Sequence, residues 1–254
     1  MRFETVIPSR RLRPFIRHFV LIEQEEEQSY KVMPGTSLVL GFQYAGRLSM
    51  IDREEQTQLS TAGITGMLDK FRNFRNSRNT GTILVYFTET GLAHFTFCPA
   101  NELFNQSISL EHIFDKQLIP ETEEKLSLAK TDAQRIVAVE NFFISQLKEV
   151  QKDQLITEAV KMIYDHKGNI RIADLSKKLL TSQSPLEKRF RKLVGATPKK
   201  FASIVRFNAV LEDMNSTRSI TEICYEHNFF DPAHFIHDFK QFTGSAPDQF
   251  RKGE

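Results

Sequence analysis

Apolar and polar positions alternate in short runs through the first third of the chain, then change period. RHFVLIE (17–23), SLVLGFQ (37–43), GRLSMID (46–52) and TILVYFT (82–88) are rich in β-branched and aromatic residues. Gly, Pro, Asn or charge clusters bound them, so each predicts a strand. From about Gly91 the spacing lengthens, and GLAHFTFCPANELFN reads as helix interrupted by Pro99. Ile136, Val139, Phe142, Phe143 and Leu147 then recur every three to four residues, which predicts an amphipathic helix. KEVQKDQ (148–154) is polar and unpatterned and sets a boundary between residues 1–150 and 151–254. Past residue 155 only helical periods remain.

The helical half repeats itself. VGATPKKF (194–201) and TGSAPDQF (243–250) share a Gly-x-x-Pro-x-x-Phe ending 49 residues apart. Leu186, Phe190 and Leu193 match Phe235, Phe239 and Phe242 at the same offset, and Ile172 and Leu175 match Ile220 and Ile223 at 48. A repeat of this kind is one supersecondary unit used twice. In the second copy Ser219 and Glu222 have capping-box spacing, and Asn228 tolerates the left-handed turn. Asp231-Pro232 restarts a helix and Gly244 ends it. Helix, tight turn, helix is the expected plan of each unit.

Once the buried stripes are removed, the outward faces are left. In the first unit they are Gln183, Ser184, Glu187, Lys188 and Arg191, polar groups suited to base edges and phosphates. In the second they are Pro232, Ala233, Ile236, His237 and Lys240, so direct readout there rests on His237 and on apolar contact with thymine methyls. The stretch FASIVRFNAVLEDM (201–214) would join the units as a helix of about 21 Å, against ~34 Å for one DNA turn.

With these residues in view, residues 155–254 resemble the tandem helix-turn-helix domain of AraC/XylS-type transcription regulators. ICYEHNFFDPAHFIHDFKQFTGSAPDQFR (223–251) is similar to that family's second unit, and Ser182, Leu186, Phe190 and Arg191 to its first. Arg206 stands where the family has a linker-helix arginine. The resemblance implies an α+β chain. A β-rich, cupin-like barrel with following helices (1–150) would sense an effector or dimerise, and an all-α domain (151–254) would bind double-stranded DNA. It leaves open a small-molecule effector or a protein partner, and a homodimer through the first part. Departures stand at Leu180 and Asn228, where the family has Gly; at Thr181, usually apolar; and at Ser176 and Cys224, usually Ala. His237 replaces a frequent base-contacting Arg.

Charge supports a polyanion partner only when the chain is divided. The net +2 splits into −2 for residues 1–154 and +4 for 155–254, and residues 177–200 hold eight Lys and Arg against the single acid Glu187. Little else points to chemistry. His18, His94 and His112 are isolated, and Cys98 and Cys224 lie 126 positions apart. No Ser/His/Asp spacing, phosphate loop or HExxH occurs, so neither an enzyme nor a metal or other cofactor is expected. FRNFRNSRN (71–79) reads as a solvated hairpin tip, with an anion-binding loop as its alternative, and EQEEE (23–27) as an acidic turn. No run approaches the roughly 18 apolar residues of a membrane span, and no signal peptide is read, so a cytoplasmic protein without membrane contact is expected. The competing function is a ligand-binding or protein-interaction barrel carrying a degenerate DNA-binding module.

Overall fold

The structure is a computed structural model that describes residues 1–53, 55–214, 216, 218–229 and 231–252. The first part is built from β1 (Arg2–Val6), β2 (Ile16–Gln24), β3 (Gln28–Val32), β4 (Val39–Ala45), β5 (Leu48–Asp52), β6 (Glu55–Gln58), β7 (Ala62–Thr65), β8 (Arg72–Asn76), β9 (Thr80–Phe87) and β10 (Ser107–Ser109). They form a six-stranded sheet, ordered β1-β2-β9-β4-β7-β10, and a four-stranded sheet, ordered β3-β8-β5-β6. Among the described residues every strand pairing is antiparallel.

One face of the larger sheet carries the first core. Phe19 and Leu21 of β2, Leu40 and Phe42 of β4, Ile64 of β7, and Ile83, Val85 and Phe87 of β9 are all buried there. Strand alternation sends these residues to one side. Helices α1 (Leu118–Leu128) and α2 (Asp132–Gln146) cover them. Phe142 meets Phe42 edge-on with centroids 5.5 Å apart, and Phe143 meets Phe87 at 5.6 Å. Thr131 and Gln134 close a full capping box at the start of α2. The apolar stripe read on α2 is thus spent on its own sheet, and Val137 is its exposed large apolar residue.

The sheets do not close into the expected barrel: among the described residues no ladder joins one to the other. Their outer strands explain this. β6 (EQTQ) and β3 (QSYKV) are exposed along their whole length, and β1 (RFETV) nearly so. Short, polar or charged edges of this kind do not invite further pairing.

The Arg-rich run also differs from its reading. Arg72–Asn76 is strand β8, inside the smaller sheet, and of the three arginines Arg78 is the one left in the turn that follows. Arg75 pairs with Glu27, and Arg72 donates to the carbonyl of Asn105. Neither is set out for an anion. GLAHFTFCPANELFN forms two short 3-10 turns, Gly91–His94 and Ala100–Leu103, rather than a broken α-helix. Pro99, which lacks a donor, begins the second.

The remaining helices are α3 (Gln154–Asp165), α4 (Ile172–Lys178), α5 (Gln183–Val194), α6 (Pro198–Asp213), α7 (Ile220–Glu226), α8 (Pro232–Thr243) and α9 (Pro247–Lys252). Their ends obey local chemistry. The side chains of Asp153, Thr197, Ser219 and Asp231 accept hydrogen bonds from first-turn amides. Caps of this type stabilise by about 0.5–2 kcal/mol each. Gly195 (φ 103°) and Gly244 (φ 80°) end α5 and α8 in the left-handed region. The turn between α4 and α5 contains Leu180 at φ 51°, and that between α7 and α8 contains Asn228 at φ 56°. None of the described helices is long and apolar enough to cross a membrane.

A second core fills these helices and reaches into the first part, since Met67 is buried in it and Met33 and Phe104 pack against it. Polar contacts continue the junction. Lys31 donates to the carbonyl of Thr243 at 2.7 Å while lying over the ring of Phe71. Lys200 lies 3.8 Å from Asp69. Tyr164 of α3 donates to Glu89, which also pairs with Arg17. Burial first, then the charge of Glu89, pushes the Tyr164 hydroxyl up to about 12. Its raised value favours the neutral phenol in the folded state. The contact is therefore complete below an unfolded tyrosine's pKa of about 10 and is lost as pH rises through 12. Tyr164→Phe should remove one component from the alkaline tyrosinate absorbance titration. If the component lost titrates near 10 instead of about 12, Tyr164 ionises like a solvated phenol.

Candidate nucleic-acid interface

Helix α5 is amphipathic in the strict sense. Leu186, Phe190 and Val194, four residues apart, are buried, and Phe190 meets Phe201 of α6 at 5.5 Å. Ser182 is the N-cap residue in extended conformation, although its side chain makes no capping bond. Pro185 falls in the first turn, where a missing N–H costs little. The opposite stripe is therefore forced outward. Gln183, Ser184, Glu187, Lys188 and Arg191 are all exposed. They line one groove of about 590 Å³, with Asn101 of the 3-10 turn Ala100–Leu103 as its further wall.

Not every base on α5 belongs to that stripe. Arg189 donates from Nε and a terminal nitrogen to Asp153, at 2.9 and 2.7 Å, and so ties α5 to the start of α3. A second cationic groove, about 760 Å³, runs beside α4 and is lined by His166, Asn169, Arg171, Lys177, Lys178 and Leu180 among others. Lys178 Nζ stands 3.3 Å from His166 Nε2, and Leu180 is 95% exposed.

Helix α8 is held by Phe235, Phe239 and Phe242, the last 4.5 Å from the ring of Phe207 on α6. Ala233, Ile236, His237 and Lys240 are exposed and Pro232 half-buried, so the structure brings the five together on the outer side of one helix. His237 Nδ1 is 3.5 Å from Asp238 Oδ1. This face has far fewer donors than that of α5.

The joint between the units is polar and tight. Arg206 of α6 stacks its guanidinium over Phe229 at 4.0 Å, and burial lowers its pKa. It braces the second unit's turn rather than facing outward. Asp213, at the end of α6, accepts from buried His227 at 2.8 Å and from Arg218 at 2.5 Å. The His227 bond, followed by the Arg218 charge, holds the Asp213 carboxyl below the usual carboxylate range.

A family model described as a helix-turn-helix domain matches residues 175–253. The chain carries an AraC-type helix-turn-helix domain at its C-terminus. Residues 4–109 match a family described as a domain of unknown function. The Msm operon regulatory protein of Streptococcus mutans is 29% identical over 159 residues, 60% of this chain and 56% of that protein. An uncharacterised HTH-type transcriptional regulator of Staphylococcus aureus is 22% identical over 255 residues, 92% of this chain but 34% of that protein. The chain thus spans about half, or a third, of the length of these relatives. In fold it is similar to ToxT from Vibrio cholerae, with a TM-score of 0.50 at 13% identity, over 92% of this chain and 97% of that one. In the AraC-type domain the two outward faces lie on α5 and α8, the second helices of the two units.

Asn101 is the residue at this groove that sequence reasoning missed. Its segment reads as part of a broken helix, and nothing local places it against residues more than 80 positions later. The ion pair between Arg189 and Asp153 was equally invisible, because no local pattern links residues 36 positions apart.

Proposed function

We propose that the protein is a transcription regulator that reads double-stranded DNA in sequence-specific fashion through α5, with α8 as a weaker second reader. Residues 1–150, a strand-rich part followed by helices, would control residues 151–254. The observation that carries this reading is the outward stripe of α5: five polar side chains in one groove, on a helix anchored by three buried apolar residues. In this assignment Ser184, Glu187 and Lys188 face bases, while Arg191, Lys240 and the helix N-termini hold phosphates. Gln183 joins the first face. Pro232, Ala233, Ile236 and His237 supply shape and methyl contacts at the second. A small-molecule effector or a protein partner would act at residues 1–150.

The direct test is a filter-binding titration of the purified chain across salt concentrations. A DNA binder of this kind gives a steep negative slope of log affinity against log salt. A flat line would favour the competing reading, an interaction module whose helical domain no longer binds DNA. Glu187 gives a finer test, because on this reading its carboxylate would accept from a cytosine amino group. Glu187→Ala should relax preference at one or two base pairs by about 1–3 kcal/mol. Unchanged selectivity in a randomised-duplex assay would remove Glu187 from the reading set.

A further inference from the structure

The groove that holds the reading stripe of α5 has a wall that belongs to the other half of the chain. Asn101 lines it directly. Next to it, the carbonyl oxygen of Ala100 lies so near the end of α5 that a Cβ on Gly195 would come within 3.2 Å of it. The turn Ala100–Leu103 therefore runs beside α5, close against it. A DNA major groove is about 12 Å wide, and a helix with its side chains is about 10–12 Å across. One helix fills the groove. A second backbone segment flanking the reading stripe has no room to enter with it.

The turn is also firmly seated. A Cβ on Gly66 would fall 1.9 Å from the carbonyl oxygen of Leu103, so only glycine lets the backbones approach this closely. Asn105, just after the turn, donates its main-chain N–H to Met67 at 2.9 Å; its side-chain amide donates to the Asp69 carboxylate at 2.9 Å and accepts from the Asp69 main-chain N–H at 3.0 Å. Asp69 is a node. Its carboxylate lies 3.8 Å from Lys200 of the first unit, and its carbonyl accepts from Gln241 of the second at 3.4 Å. The same residue thus fixes the turn and touches both units.

From this we infer that the turn Ala100–Leu103 is an autoinhibitory wedge on α5, held by Asp69 as a latch, and that it must withdraw before the helix enters DNA to full depth. The inference rests on α5 being the reading helix. Whatever acts on residues 1–150 would regulate binding by loosening or tightening this contact. Asp69→Asn keeps a side chain able to bond Asn105 but discharges the latch to Lys200.

The test is hydrogen–deuterium exchange on the full chain, with and without a saturating duplex obtained by selection. Amides of residues 100–106 should exchange faster when the duplex is bound. Asp69→Asn should speed the same amides without DNA, which a mere gain in attraction for phosphates would not do, and should raise DNA affinity about fivefold or more. If a bound duplex leaves these amides unchanged or better protected, the wedge is wrong while the reading helix stands. If neither protein binds any duplex, the reading helix is wrong and the wedge falls with it.

Discussion

Phe190→Ala should destabilise the C-terminal domain by about 3–5 kcal/mol, the range for removing a buried aromatic ring. Phe190 is fully buried, lies between Leu186 and Val194 on the inward stripe of α5, and meets Phe201 edge-on. A domain of ordinary stability holds about 5–15 kcal/mol, so the loss is a fifth of the total or more. It also has a functional consequence. The stripe that Phe190 anchors is the reason Glu187, Lys188 and Arg191 point outward together, so DNA binding should fall in step with stability. Denaturant unfolding would show a lower midpoint, with Gln183→Ala, on the exposed face, within about 0.5 kcal/mol of wild type. A loss under 1 kcal/mol for Phe190→Ala would mean that α5 is not held by this ring.

The second large effect is electrostatic. Lys188→Ala combined with Arg191→Ala removes two of the cations on the α5 groove. Arg191 is the phosphate contact of the pair, and each such contact contributes about 0.9 to the slope of log affinity against log salt, so the double variant should lose about 1 in slope. Hydrogen bonds to charged groups are worth about 1.5–3 kcal/mol, so affinity at fixed salt should also drop by an order of magnitude or more. The fold should be indifferent, since both side chains are exposed. Parallel salt lines for the variant and the wild type would place the phosphates elsewhere, with the groove beside α4 and its Lys177 and Lys178 the next surface to test.

The C-terminal half was legible because its signals are local. Ser219 with Glu222, Asp231 with Pro232, and the glycines at 195 and 244 each state a helix start or stop within a few residues. Even the departure at Leu180 leaves the turn geometry intact. The residue takes up the left-handed conformation at φ 51°, at a cost of roughly 1–2 kcal/mol, and is left exposed. The first half was legible only where strands are buried on one side. Strands β3, β6 and β8 are polar or mixed, so their sequences show no alternation to read. The failure of the sheets to close follows from the exposed edges β1, β3 and β6. The junction between the halves could not be read at all. Lys31 meets Thr243 across 212 positions, and Asp69 meets Lys200 and Gln241, pairs that no local pattern encodes.

The asymmetry between α5 and α8 gives the central claim its sharpest form. One helix presents Gln183, Ser184, Glu187, Lys188 and Arg191; the other presents Pro232, Ala233, Ile236, His237 and Lys240. Helix α6, 16 residues long, joins the two units and spans about 24 Å. Selection of binding sites from a randomised duplex pool with the full chain therefore tests the account most directly. The account expects one sharply specified half-site and, about one helical turn away, a looser half governed by shape and bendability, with Glu187→Ala blurring only the first. Two equally sharp half-sites, or no enrichment at all, would contradict it.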